Sequence, residues 1–132
     1  MQKLLFLLLI TTWACTQAVP AQSVLDATKT EAMLKADPSV QLIDLRTPGE
    51  VKQTGKIAGA LEINFKSADF QAQVGKLDKS KPVVVYCAAG GRSARAAAQM
   101  TEMGFKNVYD YTGGMNDWED QGKKTVPGSA GQ

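Results

Sequence analysis

Apolar positions along the chain follow two spacings, short unbroken or nearly unbroken runs and longer stretches where they recur three or four apart, and the two alternate from Val24 to Trp118. The runs predict strands and the spaced stretches predict helices. "VVVYC" at 83–87 is the most strand-like run, apolar on both faces. "VQLIDLR" at 40–46 is a second strand, about Ala60 to Phe65 a third, "NVYDYTG" at 107–113 a fourth, and Val24–Leu25 a brief edge strand. Between them, Thr28 with Glu31 three residues on forms a capping box for a helix that ends before Pro38. Thr47 caps a short helix with Pro48 in its first position. Phe70, Val74 and Leu77 share one face of a helix over 66–77, "SARAAAQMTEMG" is a strong helix closed by Gly104, and "GMNDWEDQG" at 114–122 is the last.

Strand and helix alternation of this kind implies βαβ units, and so an α/β fold of three layers: a central, mostly parallel sheet of about five strands flanked by helices. Ligands of such sheets bind beyond the carboxyl ends of the strands. Cys87 ends the most buried strand, where a site is expected. The stripe Met100, Met103, Phe105 reads as core, and Trp118 with Gly113 and Gly114 as packing of the last helix under the site.

Residues 1–18 change the picture. One Lys is followed by an uncharged run from Leu4 to Ile10 and then by small and polar residues, the pattern of a secretory signal. Two exits compete: cleavage after Ala18, or processing before Cys15 with lipidation of that cysteine. Either exit exports the domain to the periplasm, soluble or lipid-anchored. The domain proper is expected over 19–122, followed by a polar, Gly-rich flexible tail at 123–132. Without residues 1–18, and so without Lys3, the formal net charge falls from +2 to +1, too small to argue for nucleic acid or for a membrane beyond a lipid anchor. A single domain without an obvious apolar patch is expected to be a monomer.

Two cysteines and no histidine narrow the chemistry. The absence of His excludes Ser-His-Asp and Cys-His nucleophilic sites and His-ligated metals, so no metal is expected. With Cys15 removed or lipidated, Cys87 has no partner within an exported domain, where thiols are normally paired. It is then either a packed core residue or a reactive one. The next six residues, Ala88, Ala89, Gly90, Gly91, Arg92 and Ser93, favour reactivity. The glycines let the loop curl with its N–H groups inward, the helix beginning near Ser93 adds its positive end, and Arg92 adds a full charge. A thiol in such a cradle has a lowered pKa without help from His. Asp44 and Arg46, at the end of another strand, are expected to brace neighbouring loops. Arg95 is expected to be solvated or to meet the Asp117/Glu119 region.

These segments resemble the rhodanese-like sulfurtransferases in their single-domain form, over roughly residues 24–120. "LIDLRTPGE", "GKIAGALEI", "CAAGGRSARAA" and "YTGGMNDW" resemble four of the family's elements in order, with Lys56 where the family often has His and Ala58 where Pro is common. The resemblance implies a rhodanese-type thiosulfate sulfurtransferase without a cofactor. Cys87 is the nucleophile that carries a persulfide, Arg92 binds the donor's oxyanion end, and the backbone N–H groups from Ala88 to Ser93 hold the terminal sulfur. Its partners are a small anionic sulfur donor and a thiophilic acceptor, cyanide or a thiol. Related phosphatases and arsenate reductases use five residues between Cys and Arg; here there are four. The alternatives to sulfur transfer are a persulfide carrier that serves one partner without turnover and, behind it, a phosphatase-like or arsenate-reductase-like enzyme.

Overall fold

The computed structural model describes residues 23–129. The signal segment and Cys15 lie outside the described residues. The elements are β1 (Ser23–Leu25), α1 (Ala27–Ala36), β2 (Gln41–Asp44), α2 (Pro48–Thr54), β3 (Leu61–Glu62), α3 (Phe70–Val74), β4 (Val83–Tyr86), α4 (Gly91–Glu102), β5 (Val108–Tyr111) and α5 (Gly114–Asp120). The five strands form one sheet in the order β1-β5-β4-β2-β3, every pair parallel.

Strand side chains alternate between two apolar clusters, as a pleat requires. Ile43, Val83, Val85 and Cys87 face α3 and α4 through Phe70, Val74, Ala96, Ala97 and Met100. Leu42, Val84, Tyr86 and Tyr111 face α1 and α5 through Ala27, Met115 and Trp118. Val83, Val84, Val85 and Tyr86 are all fully buried, which is why this stretch reads as apolar on both faces. The chain leaves β2 towards β3 on one side and β4 towards β5 on the other, so the connections diverge between β2 and β4. A crevice opens at such a switch point.

Several boundaries differ from expectation. Asp26, not Thr28, caps α1: its side chain accepts from the Lys29 N–H at 2.7 Å, because β1 ends one residue earlier and leaves Asp26 extended. β3 is only two residues long, although Ile63 and Phe65 still donate to the Asp44 and Leu45 carbonyls. α4 starts at Gly91, which puts Arg92 and Ser93 in its first turn.

Residues 123–129, expected as a loose tail, are docked. Val126 and Lys56 exchange two backbone hydrogen bonds of 2.8 Å, the Ser129 N–H donates to Glu62, and the Trp118 indole donates to the Lys124 carbonyl. Composition hides this because most of these contacts are made by the segment's backbone.

Candidate active site

The loop from Cys87 to Gly90 leaves β4 at the crevice and is shaped by two constraints. Gly90 has φ of 100°, and a β-carbon there would meet the Thr112 carbonyl oxygen at 2.5 Å. On the other side, the N–H groups of Met115 and Asn116, at the start of α5, bond the carbonyls of Cys87 and Ala88 at 2.8 and 3.0 Å. With these carbonyls turned towards α5, the N–H groups of the loop turn towards the sulfur. The Gly90 N–H lies 3.1 Å from Cys87 Sγ.

Cys87 continues the row of Val83 and Val85 and is only 1% exposed. Burial alone raises a thiol pKa. Here it is outweighed by the polar groups around the sulfur, the backbone N–H groups of Ser93, Gly90 and Ala89 and the Ser93 hydroxyl, so the pKa falls below the ordinary value. Of the N–H cradle expected from the two glycines, the Gly90 N–H lies within hydrogen-bond distance of the sulfur. Among the described residues, Cys87 is the free cysteine.

Arg92 reaches the cup, but its guanidinium is not an open fork. Nη1 and Nη2 lie 2.8 and 2.7 Å from the two carboxylate oxygens of Glu50. Hydrogen bonding to Arg92, against burial and with help from Thr47, holds the Glu50 carboxyl at about 2. The charged form of Arg92 is favoured first by Glu50 and, after it, by the nearby Cys87. Sequence reading missed Glu50. Its visible signal was local, the third position of a capping box with Thr47, which the structure contains.

Asp44 and Arg46 form a buried brace. Arg46 Nη2 lies 2.6 Å from Asp44 Oδ2 and 2.7 Å from the Gly55 carbonyl, while Nη1 bonds the Thr54 hydroxyl. The Tyr86 hydroxyl donates to Asp44 at 2.8 Å and accepts from the Ile57 N–H. The end of β2, the end of α2 and β4 are thereby fixed to one another next to the cup. Arg95 does not meet Asp117, which bonds Tyr111 and Gln121 instead; it lies over the Phe65 ring at 5.0 Å. No group of His, Cys, Asp and Glu able to hold a metal occurs among the described residues.

The described residues thus form a parallel five-stranded sheet with a cradled thiol at its switch point. The rhodanese-like domain model matches residues 26–121, and the chain belongs to the single-domain rhodanese-like sulfurtransferase family. It is 32% identical over 99 residues to the thiosulfate:glutathione sulfurtransferase of Saccharomyces cerevisiae, covering 67% of this chain and 70% of the relative. To the thiosulfate sulfurtransferase GlpE of Shewanella oneidensis it is 37% identical over 83 residues, covering 62% and 78% respectively. Among solved structures, the polysulfide-sulfur transferase homodimer of Wolinella succinogenes superposes with a TM-score of 0.70 at 31% identity, over 82% of this chain and 80% of that one.

Proposed function

We propose that the protein is an exported thiosulfate sulfurtransferase working through a Cys87 persulfide. The thiolate attacks the sulfane sulfur of thiosulfate, the S–S bond of the donor breaks, and sulfite leaves with the electron pair. In the second half-reaction cyanide or a thiolate takes the outer sulfur and returns Cys87 as thiolate, so kinetics are ping-pong. The N–H groups around Sγ stabilise the anionic sulfur in both halves. Arg92 supplies a charge already shared with Glu50. The observation that carries this reading is the 3.1 Å contact of the Gly90 N–H with Cys87 Sγ, inside a loop with four residues between Cys87 and Arg92. The names of the relatives support thiosulfate as donor.

Arg92 engaged by Glu50 favours one second reading, a carrier loaded by a partner and slow with small donors. Thiocyanate formation from thiosulfate and cyanide, beside Cys87→Ser and with intact mass after thiosulfate alone, tests both. Turnover lost in the variant, with a mass gain of one sulfur in the wild type, supports the enzyme. A mass gain without turnover supports the carrier, and neither signal removes thiosulfate as donor. Export rests on residues 1–18, and the mass of the mature N-terminus separates a cut after Ala18 from a lipid on Cys15. The monomeric state is proposed from scattered exposed apolar side chains, Val24, Leu61 and Val126; light scattering checks it.

A further inference from the structure

Arg92 and Arg95 stand three residues apart on α4 and so share one face of that helix. Their guanidinium groups meet different partners. Arg92 forks onto both carboxylate oxygens of Glu50. Arg95 joins no salt bridge among the described residues, and its guanidinium lies over the Phe65 ring, 5.0 Å from the centroid.

The sheet register places this pair beside the cup. Asp44 is paired with Tyr86, so Leu45 and Cys87 follow at the same level on neighbouring strands. The Phe65 N–H donates to the Leu45 carbonyl at 3.0 Å. Phe65 is thus two strand spacings from Cys87, roughly 10 Å between backbones. Its ring stands edge-on to Phe70 at 5.0 Å and packs against the cluster that contains Cys87. Arg95 and Phe65 head a groove of about 280 Å³ that runs on between α3 and α4 past Phe70, Gln71 and Gln99.

A cation held against the face of a ring keeps its N–H donors for another partner, and a guanidinium fork matches a carboxylate. The neighbouring carboxylates do not supply one. Glu50 is taken by Arg92, and Asp69 accepts from Ser67 and Gln73. Thiosulfate is too compact to span the cup and Arg95 together, since its oxygens sit on the sulfur next to the one transferred. The substrate with room to extend along the groove is the acceptor thiol, whose chain lies against the rings while its far end meets Arg95.

We propose that Arg95, seated on Phe65, is the specificity-determining residue for the acceptor and binds the carboxylate of a small thiol that discharges the Cys87 persulfide. The step balances without a further reactant. The acceptor thiolate attacks the outer sulfur of Cys87–S–SH, the bond from Sγ to that sulfur breaks, Cys87 leaves as thiolate with the electron pair, and the proton stays on the product persulfide. The inference rests on the Cys87 persulfide of the proposed reaction and adds the class of acceptor, an anionic thiol in preference to a neutral or cationic one.

The test is discharge in a single turnover. The purified protein is loaded with thiosulfate, or with inorganic polysulfide if thiosulfate adds no mass. Loss of the sulfur is then followed by intact mass after addition of 3-mercaptopropionate, 2-mercaptoethanol or cysteamine. Comparing each rate between wild type, Arg95→Gln and Arg95→Glu cancels the thiols' own reactivities. Relative to 2-mercaptoethanol, Arg95→Gln is expected to slow 3-mercaptopropionate about fivefold, as for a partly exposed ion pair. Arg95→Glu is expected to slow it further and to speed cysteamine about fivefold, and added salt to shrink both differences. Rates that change alike for the three thiols, or not at all, overturn the proposal and leave the donor half-reaction standing, as does a loaded persulfide that none of them discharges. Charge-selective discharge after loading by polysulfide alone removes thiosulfate as donor and leaves this inference. A Cys87 that takes sulfur from neither source overturns both.

Discussion

Arg92 and Glu50, 42 residues apart in sequence, join by two hydrogen bonds of 2.8 and 2.7 Å. The pair ties the helix after β4 to the helix after β2 across the crevice where the sheet's connections diverge. It fixes the orientation of the cation beside the thiol, and it offsets part of that cation's charge.

The pair sets an acid limit on stability. Glu50 is held at about 2 in the folded chain, against 4.5 for an ordinary glutamate, so its contribution is complete above the ordinary value and is lost as pH falls towards 2. Glu62, also at about 2, acts in the same direction: burial raises it, but Ser129 and Lys56 pull it down further. Urea unfolding at a series of pH values is expected to give a flat free energy from neutral pH to about pH 5 and a fall below it. Glu50→Gln is expected to make that fall shallower and to cost about 1 kcal/mol at neutral pH, since both side chains are partly exposed.

The Asp44–Arg46 brace is expected to be far more sensitive. Both side chains are almost wholly buried, at 0% and 2% exposure. Removing one partner of a buried pair leaves the other charge uncompensated, a loss of about 3–5 kcal/mol. Asp44→Ala is expected in that range by chemical denaturation. Tyr86→Phe, which leaves Arg46 on Asp44 but strands the Ile57 N–H, is expected to cost about 1–2 kcal/mol.

The features legible in the sequence were those set by periodicity and by short-range chemistry. The apolar run at 83–86 marked the central strand, the alternation of runs and spaced stretches marked the layers, and the glycines after Cys87 marked the cradle. Glu50 was invisible for a different reason. It has a local explanation, a cap, and meets Arg92 only when the sheet order sets β4 beside β2. The docking of residues 123–129 was hidden because backbone hydrogen bonds leave no trace in composition.

Gly114 supports the cup from outside the loop. Its φ is 65°, and a β-carbon would meet the Cys87 and Ala88 carbonyl oxygens at 2.4 and 2.6 Å. Those carbonyls accept the N–H groups of Met115 and Asn116, so an added methyl pushes apart the contact that turns the loop's N–H groups inward. Gly114→Ala is expected to cost about 1–3 kcal/mol. It is also expected to slow persulfide formation from thiosulfate at least tenfold with Cys87 intact, as read by time-resolved mass. A variant destabilised to this extent but loading sulfur at the wild-type rate would show that α5 holds the fold and not the cup.

The C-terminal segment offers the converse case, stability without chemistry. A stop after Gly122 removes the two Val126–Lys56 backbone bonds, the Ser129 bond to Glu62, the Lys124 acceptor of the Trp118 indole and the Lys123–Glu31 ion pair. Each bond is worth about 1 kcal/mol at most where solvent reaches it, and the partners left behind recover part of the loss by binding water. The net cost is expected near 2 kcal/mol, a melting temperature lower by about 10 °C in a domain of this size. None of these contacts touches Cys87, Arg92 or the cradle. Thiosulfate loading below the melting transition is therefore expected to be unchanged. Calorimetry and mass on the truncated chain check the two halves separately, and an unshifted transition would mean that residues 123–129 rest on the domain without stabilising it.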